Sequence, residues 1–387
     1  ARHLSRNAAV LDAVIGGSFW APWPGVAGLV ADLGKQLQEA GDYEARLDTA
    51  RRWMKEWHFR VGVHHLRGLA DAFEAAKSYA DLAEAVIAGL WPVVLAEFAG
   101  RHGAAPGRGA VLLGMGSLGA GRLNAGSDLD LILIYDAAGV EQSDGRRPLP
   151  TRSYFARLTQ AMVTALSAQT AEGRLYEVDV RLRPSGRAGA VATSIDGWRD
   201  YQQTEAWTWE HLALTRARVM AGDPGLAGEV ETCRRAVLAD KGGAARVRPD
   251  VAEMRDRLAE AKPATEAWEA KNGPGRLMDI ELCAEMAALI AANPARQVER
   301  QIGSKGVLAA ADQAVLLDAY RLLWRLHCSA RLLTDRSLEP DALGEGGRAF
   351  LLRETGEATV AALSARLARA VSLAEGVIAR QVGPGQG

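Results

Sequence analysis

Apolar residues in the first hundred positions recur at the three- and four-residue spacing of helices buried on one side. Leu11, Val14 and Ile15 form a short stripe, Val26, Val30, Leu33 and Leu37 a longer one, and Leu66, Leu69 and Phe73 a third. Residues 79–98 predict a further amphipathic helix, bent at Pro92, where a missing N–H interrupts the ladder. The run from Phe19 to Pro24 breaks the pattern, because proline pushes the residue before it out of helical geometry. A basic, glycine-rich linker over residues 101–109 closes this region.

From Ala110 the period changes. Residues 111–115 and 129–135 are short apolar runs of the kind that form buried strands. A helix is expected over residues 152–171, with Phe155, Leu158, Met162 and Leu166 on one face. Residues 176–183, YEVDVRLR, alternate cleanly up to Pro184-Ser185-Gly186 and predict a strand. Helices are expected around 198–201 and over 205–219, followed by a transition over 222–245 marked by Asp223-Pro224-Gly225 and Gly242-Gly243. Beyond it, residues 251–261, 277–291, 311–333 and 348–380 predict helices, the last interrupted at Gly356. Abundant alanine and leucine without strand signals point there to an antiparallel bundle. The end, from Val382 to Gly385, is expected to fray. No internal repeat is found. The fold class expected is therefore α+β: a helical region over 1–100, a small mixed sheet with helices over 101–225, and a helical bundle over 245–387.

Composition narrows the chemistry. A chain of 387 residues is long enough for two or three domains. A net charge of −1 carries no bulk footprint for nucleic acid or membrane, so neither is an expected partner, and a phosphorylated ligand must be met by locally placed Arg and Lys. Cys233, Cys283 and Cys328 are scattered and odd in number, which fits reduced thiols and a cytoplasmic protein. No apolar run approaches the length of a membrane span. No signal-peptide pattern is present, and a start at Ala1 fits a fragment of something longer.

The chemistry-bearing residues gather in VLLGMGSLGAGRLNAGSDLDLILIYD, from Val111 to Asp136. Gly114-x-Gly116-x-x-Gly119, with Asp136 downstream, matches a dinucleotide fingerprint, and a Rossmann-type NAD site is one alternative. Against it, residues 117–127 carry three glycines and leave little helix for a parallel crossover. The fingerprint also has no use for two aspartates opening the next strand. Strand alternation puts Asp128 and Asp130 on one face while Leu129 and Leu131 enter the core. A glycine turn beside paired carboxylates suits nucleotidyl transfer. The N–H groups of Gly116 and Ser117 can approach phosphate, and Asp128 and Asp130 can hold Mg²⁺, which prefers a few carboxylates plus phosphate and water. Two such ions would serve both the attacking and the leaving oxygen.

Asp179 is the candidate third carboxylate, and Arg181 and Arg183 are expected on its strand face as polyphosphate ligands. A salt-bridge ladder is the bland alternative for the two arginines. Glu210, Leu214 and Arg218 share a helical stripe and suggest a structural ion pair; Trp207 and Trp209 are expected in the core, and His211 in a hydrogen bond. Lys271, in a glycine loop entering a helix, is a candidate phosphate ligand across the domain boundary, while Asp279 and Glu281 are expected to serve the helix start. His58, His64 and His65 lack the spacing of a metal site and are expected at the surface or in caps.

Four blocks, GMGSLGAGRLNAGSDLDLILIYD, LYEVDVRLRPSGRAGAVATS, YQQTEAWTWEHLALTRARVMAGDP and KNGPGRLMDIE, resemble in order the glutamine synthetase adenylyltransferase family. The resemblance covers most of the chain from Ala110, and the second and third blocks look like the C-terminal, adenylylating half. It implies a nucleotidyltransferase-like fold of polymerase-β type, transfer of AMP from ATP to a tyrosine of glutamine synthetase, and release of pyrophosphate. It also implies Mg²⁺, and control by the PII signalling protein and glutamine. The family's aspartates fall on Asp128, Asp130 and Asp179, and its glycine turn on Gly116. The chain departs from the family at Ser117, where lysine is common, at Gly119-Ala120, commonly Gly-Gly, and at Arg122, commonly Glu. The charge of that lysine must then come from elsewhere, with Arg122, Arg181 and Lys271 as candidates. The rival activities are AMP removal by phosphate, as in the homologous half, and a non-catalytic regulatory module.

Overall fold

The computed structural model describes residues 18–263, 266–334 and 337–382, so the stripe of Leu11, Val14 and Ile15 and the tail after Val382 lie outside the described residues. Three helices come first: α1 (Gly25–Glu39), α2 (Tyr43–Arg67) and α3 (Ala72–His102). Asp42 caps α2 by accepting from Ala45 N at 2.8 Å, and Gly68, at φ 75°, ends it in a left-handed turn. Asp71 and Glu74 form a reciprocal capping box at the start of α3. Because Gly68 intervenes, the expected stripe of Leu66, Leu69 and Phe73 straddles two helices, and Leu66 and Leu69 are exposed. By length and composition α3 passes for a membrane span, which inspection for unbroken apolar runs missed. Its Leu82, Val86 and Leu90 are fully buried among α1, α2 and the sheet, as in a core helix.

The sheet follows: β1 (Gly109–Gly114), α4 (Gly116–Gly119), β2 (Leu129–Asp136), α5 (Thr151–Ser167), β3 (Val178–Asp179), β4 (Ala192–Ser194), α6 (Ile195–Thr204), α7 (Thr208–Leu214) and β5 (Arg218–Gly222). β1 lies between β2 and β5 and is antiparallel to both. The far edge of β2 is shared by two parallel neighbours, β3 beside Leu129 and Asp130, and β4 beside Leu133 to Tyr135. An antiparallel pair joined through a four-residue helix is not a βαβ crossover, so the dinucleotide alternative falls.

Three expectations are corrected here. The strand over 176–183 is only two residues long, because the Asp179 carboxylate accepts from Arg181 N at 2.8 Å and the chain turns away. The helix expected over 205–219 stops at Leu214, and Arg218 belongs to β5. The supposed transition after Gly222 contains α8 (Pro224–Lys241), with Asp223 capping Leu226 N at 2.8 Å and proline in the first turn.

Alternation along β1 and β2 divides the interior. Leu112, Leu129, Leu131, Leu133 and Tyr135 face α1–α3 and α5, whereas Val111, Leu113, Ile132 and Ile134 face Trp198 of α6, Leu214 of α7 and Val230 of α8. The bundle comprises α9 (Ala244–Ala261), α10 (Leu277–Ile290), α11 (Val298–Ile302), α12 (Ala310–Leu333), α13 (Glu345–Thr355) and α14 (Val360–Val382). Gly356, at φ 73°, ends α13 where the interruption was expected. The bundle core also takes in Ala72 and Ala76 of α3 and Leu212 of α7. All three cysteines are buried free thiols.

Candidate active site

Asp130 is the hinge of the site. It follows Leu129 into β2 on the face of Ile132 and Ile134, at the end where the helical cover of that face stops and the strand is only half-buried. Its backbone is fixed by Met115 N, which donates to Asp130 O at 2.9 Å, and by the register that sets Asp130 opposite Asp179 across β2 and β3. Gly116 sits at φ 52°, and a Cβ there would stand 2.8 Å from Asp130 Oδ2. A side chain at 116 would be strained and would crowd the carboxylate, so the turn requires glycine. The first backbone bond of α4 is Gly119 N to Met115 O at 2.9 Å, which leaves the amides of Gly116, Ser117 and Leu118 ahead of the helical ladder.

Asp130 stands opposite Asp179 across β2 and β3 and within electrostatic reach of Asp128. Burial pushes the Asp130 carboxyl up from 3.8 to about 6, and the like charges of Asp128 and Asp179 push the same way; Lys271 and Arg181 oppose them. Asp128 is exposed and Asp179 half-buried. Asp179 is held by Arg181, whose Nε donates to Oδ2 at 2.6 Å. Among the described residues no three acidic, His or Cys side chains converge as a finished metal cage. The donor set nevertheless fits Mg²⁺: under-compensated carboxylates, open on one side, next to amides suited to phosphate.

The cations are arranged differently from the strand-face expectation. Arg181 is exposed beside Asp179, but Arg183 is buried and donates to Val180 O at 2.7 Å and Gly189 O at 3.3 Å. Its guanidinium braces the loop before β4. Arg122 pairs with Glu299 of α11 at 2.6 Å and lies 4.7 Å from the Phe73 ring centroid, so it fastens the bundle to α3. Lys271 reaches the site from the bundle side and lines, with Lys55, His58, Asp128, Tyr176 and Arg331, a cleft of about 1090 Å³. Arg331, exposed on α12, had no distinguishing mark in the sequence.

Neighbouring residues serve structure. Glu210 accepts from Trp207 N at 3.0 Å and from Tyr201 OH at 2.8 Å, while Arg218 pairs with Glu84 of α3 at 2.7 Å, so the expected Glu210–Arg218 pair is absent. Trp207 and Trp209 are exposed, at 71% and 37%, rather than in the core. His211 is buried and bonded to Gln202 O at 3.0 Å. Asp279 pairs with Arg255 at 2.7 Å and accepts from Gly275 N at 2.7 Å. Glu281 and Glu285 flank the buried Arg216 at 3.2 and 2.9 Å. His64 bonds Phe19 O at 2.9 Å, and His65 lies 3.3 Å from the Glu354 carboxylate, buried rather than at the surface. His58 is half-buried and bonds Ala125 O at 3.0 Å.

Residues 247–375 match the family described as GlnD PII-uridylyltransferase. A protein of Mesorhizobium japonicum named bifunctional glutamine synthetase adenylyltransferase/adenylyl-removing enzyme is 41% identical over 91% of this chain and 36% of its own length. One of the same name from Rhodopseudomonas palustris is 38% identical over 98% of this chain and 39% of its length. A third, from Rhizobium meliloti, is 43% identical over 77% of this chain and 31% of its length. The chain thus spans less than two-fifths of the relatives it matches. Residues 1–232 match the family described as glutamate-ammonia ligase adenylyltransferase, and with relatives this similar along nearly its whole length, the chain belongs to that family.

Proposed function

We propose that this chain is a Mg²⁺-dependent nucleotidyltransferase that moves AMP from ATP to a tyrosine hydroxyl of glutamine synthetase. The observation that carries the proposal is the register of Asp130 with Asp179 beside the Gly116 turn, under a carboxyl raised to about 6. The layout suits a nucleotidyltransferase domain of polymerase-β type, with residues 1–100 and 245–387 as helical flanks. Asp128 and Asp130, with Asp179, would hold the metal, which when bound offsets charge on the phosphates. The amides of Gly116 and Ser117 orient the phosphates, and Lys271 and Arg181 neutralise them. The tyrosine oxygen forms a bond to the α-phosphorus as the bond to pyrophosphate breaks, and Asp179 accepts the tyrosine proton as Arg181 turns to the phosphates. Positioning and charge stabilisation supply most of the rate.

The relatives' names include an adenylyl-removing activity, for which phosphate would attack at a site of the same kind. Paired assays separate the two: labelled ATP with unmodified glutamine synthetase, and adenylylated enzyme with inorganic phosphate. Transfer in the first with none in the second is expected; release in the second alone would reassign the chain to AMP removal. Neither activity, with ATP still bound, would favour the regulatory module. PII and glutamine are the proposed effectors, PII also because a GlnD PII-uridylyltransferase match covers the bundle.

A further inference from the structure

The loop that delivers Asp128 is pinned from both sides by histidines of the two helical flanks. Asn124 N donates to Ser127 Oγ at 2.9 Å, and Gly126 N donates to Asn124 Oδ1 at 2.9 Å, which closes the loop on itself. With Oδ1 so engaged, the Asn124 amide nitrogen faces His327 of α12, and Nδ2 lies 3.1 Å from His327 Nε2. An amide N–H can only donate, so His327 Nε2 accepts and its proton sits on Nδ1. Burial, with Lys271 and Arg331 nearby, pushes the His327 imidazole down to about 3, which keeps it in that neutral form. On the opposite side, His58 of α2 donates from Nε2 to Ala125 O at 3.0 Å. Each ring is itself held by an aromatic neighbour, His58 against Tyr79 at 4.7 Å between centroids and His327 against Trp324 at 6.3 Å.

We propose that His58 and His327 are positioning residues that clamp the 124–127 loop between the N-terminal helices and the bundle and thereby fix Asp128 for metal. This rests on the functional reading above and adds the groups behind its carboxylates. His58 lines the cleft with its Nε2 engaged by Ala125 O, and His327 is buried behind the loop. Groups behind metal ligands commonly govern affinity through orientation, and the clamp joins both helical flanks to one carboxylate.

The test uses the full chain and Mn²⁺ as the probe, titrated by electron paramagnetic resonance with a non-hydrolysable ATP analogue present. His327→Phe and His58→Phe are expected to weaken Mn²⁺ binding by about tenfold each. His327→Gln keeps an acceptor and His58→Gln keeps a donor, and both are expected to restore most of it. His64→Phe, which removes a bond to Phe19 O away from the loop, is the control for general destabilisation and leaves binding unchanged. Hydrogen exchange at Gly126 and Ser127 should quicken in His58→Phe and His327→Phe and not in His64→Phe. Normal Mn²⁺ binding in folded Phe variants, or equal loss in the control, would overturn the clamp while leaving the functional reading intact. No Mn²⁺ binding by the wild type would overturn the metal site and the clamp together. Should His327→Phe not fold, Asn124→Ala, which severs that bond from the loop side, replaces it with the same expected outcome; should His58→Phe not fold, His58→Leu replaces it.

Discussion

Two carboxylate clusters in this protein differ in how their charge is answered. At Asp128, Asp130 and Asp179 the acids crowd one another at an open rim, and their cations, Lys271 and Arg181, are exposed. Between the sheet domain and the bundle, Glu281 and Glu285 close around Arg216, which is 3% exposed. There too burial pushes a carboxyl up, Glu285 to about 7, but the guanidinium stands 2.9 Å away and is itself buried. The first cluster is left short of positive charge on the side where a ligand can supply it. The second carries its cation inside the fold, and its work is to join two parts of it.

The largest effect should come from breaking the Arg216 cluster. Arg216→Met strands two acids at a buried interface and should cost about 3–5 kcal/mol in denaturant unfolding. Adding Glu285→Gln should recover part of that loss, because the stranded charge is the main penalty. At temperatures where the variant stays folded, KM for ATP should not change.

Asp130→Asn should do the reverse. If Asp130 holds metal as proposed, AMP transfer is expected to fall by about 100-fold or more. Stability should rise. With its carboxyl raised from 3.8 to about 6, folded Asp130 holds a proton that the unfolded chain has released, so stability falls as pH rises through that window. The variant escapes this penalty, and its Tm at pH 7.5 should exceed the wild type's by about 1–2 °C, with no difference at pH 3.5. A variant that melts lower at pH 7.5 would show that the open cluster is compensated after all. The smallest effect is expected for Lys271→Ala, which removes an exposed cation: KM for ATP should rise by about tenfold in initial-rate measurements, with little change in kcat.

What was legible in the sequence was local. The glycine turn and the alternation of Asp128 with Leu129 and of Asp130 with Leu131 are set within a few residues, and the burial of both leucines follows the expected pattern. The same rule failed from Asp179 to Arg183, where a side chain competing for the backbone ended the strand and sent the two arginines to different tasks. Asp223-Pro224-Gly225 looked like a loop because its residues are shared by turns and helix starts, and only the Leu226 N bond to Asp223 decides between them. The partners of Arg216 and Arg122 lie across the boundary with the bundle, where no periodicity within a segment can point to them. The Asn124–His327 contact spans 203 positions for the same reason.

The shared core of α1–α3 and the sheet bears on how the protein can be dissected. Leu112, Leu131, Leu133 and Tyr135 share one core with Leu82, Val86 and their neighbours on the N-terminal helices as well as with Phe155 and Leu158 of α5. A fragment trimmed to begin near residue 101, as sequence boundaries invite, would keep α5 but bare the rest of that sheet side to water and invite aggregation before any question of catalysis arose. The N-terminal helices therefore contribute directly to the interior of the sheet domain, and any recombinant unit meant to stand alone has to keep them.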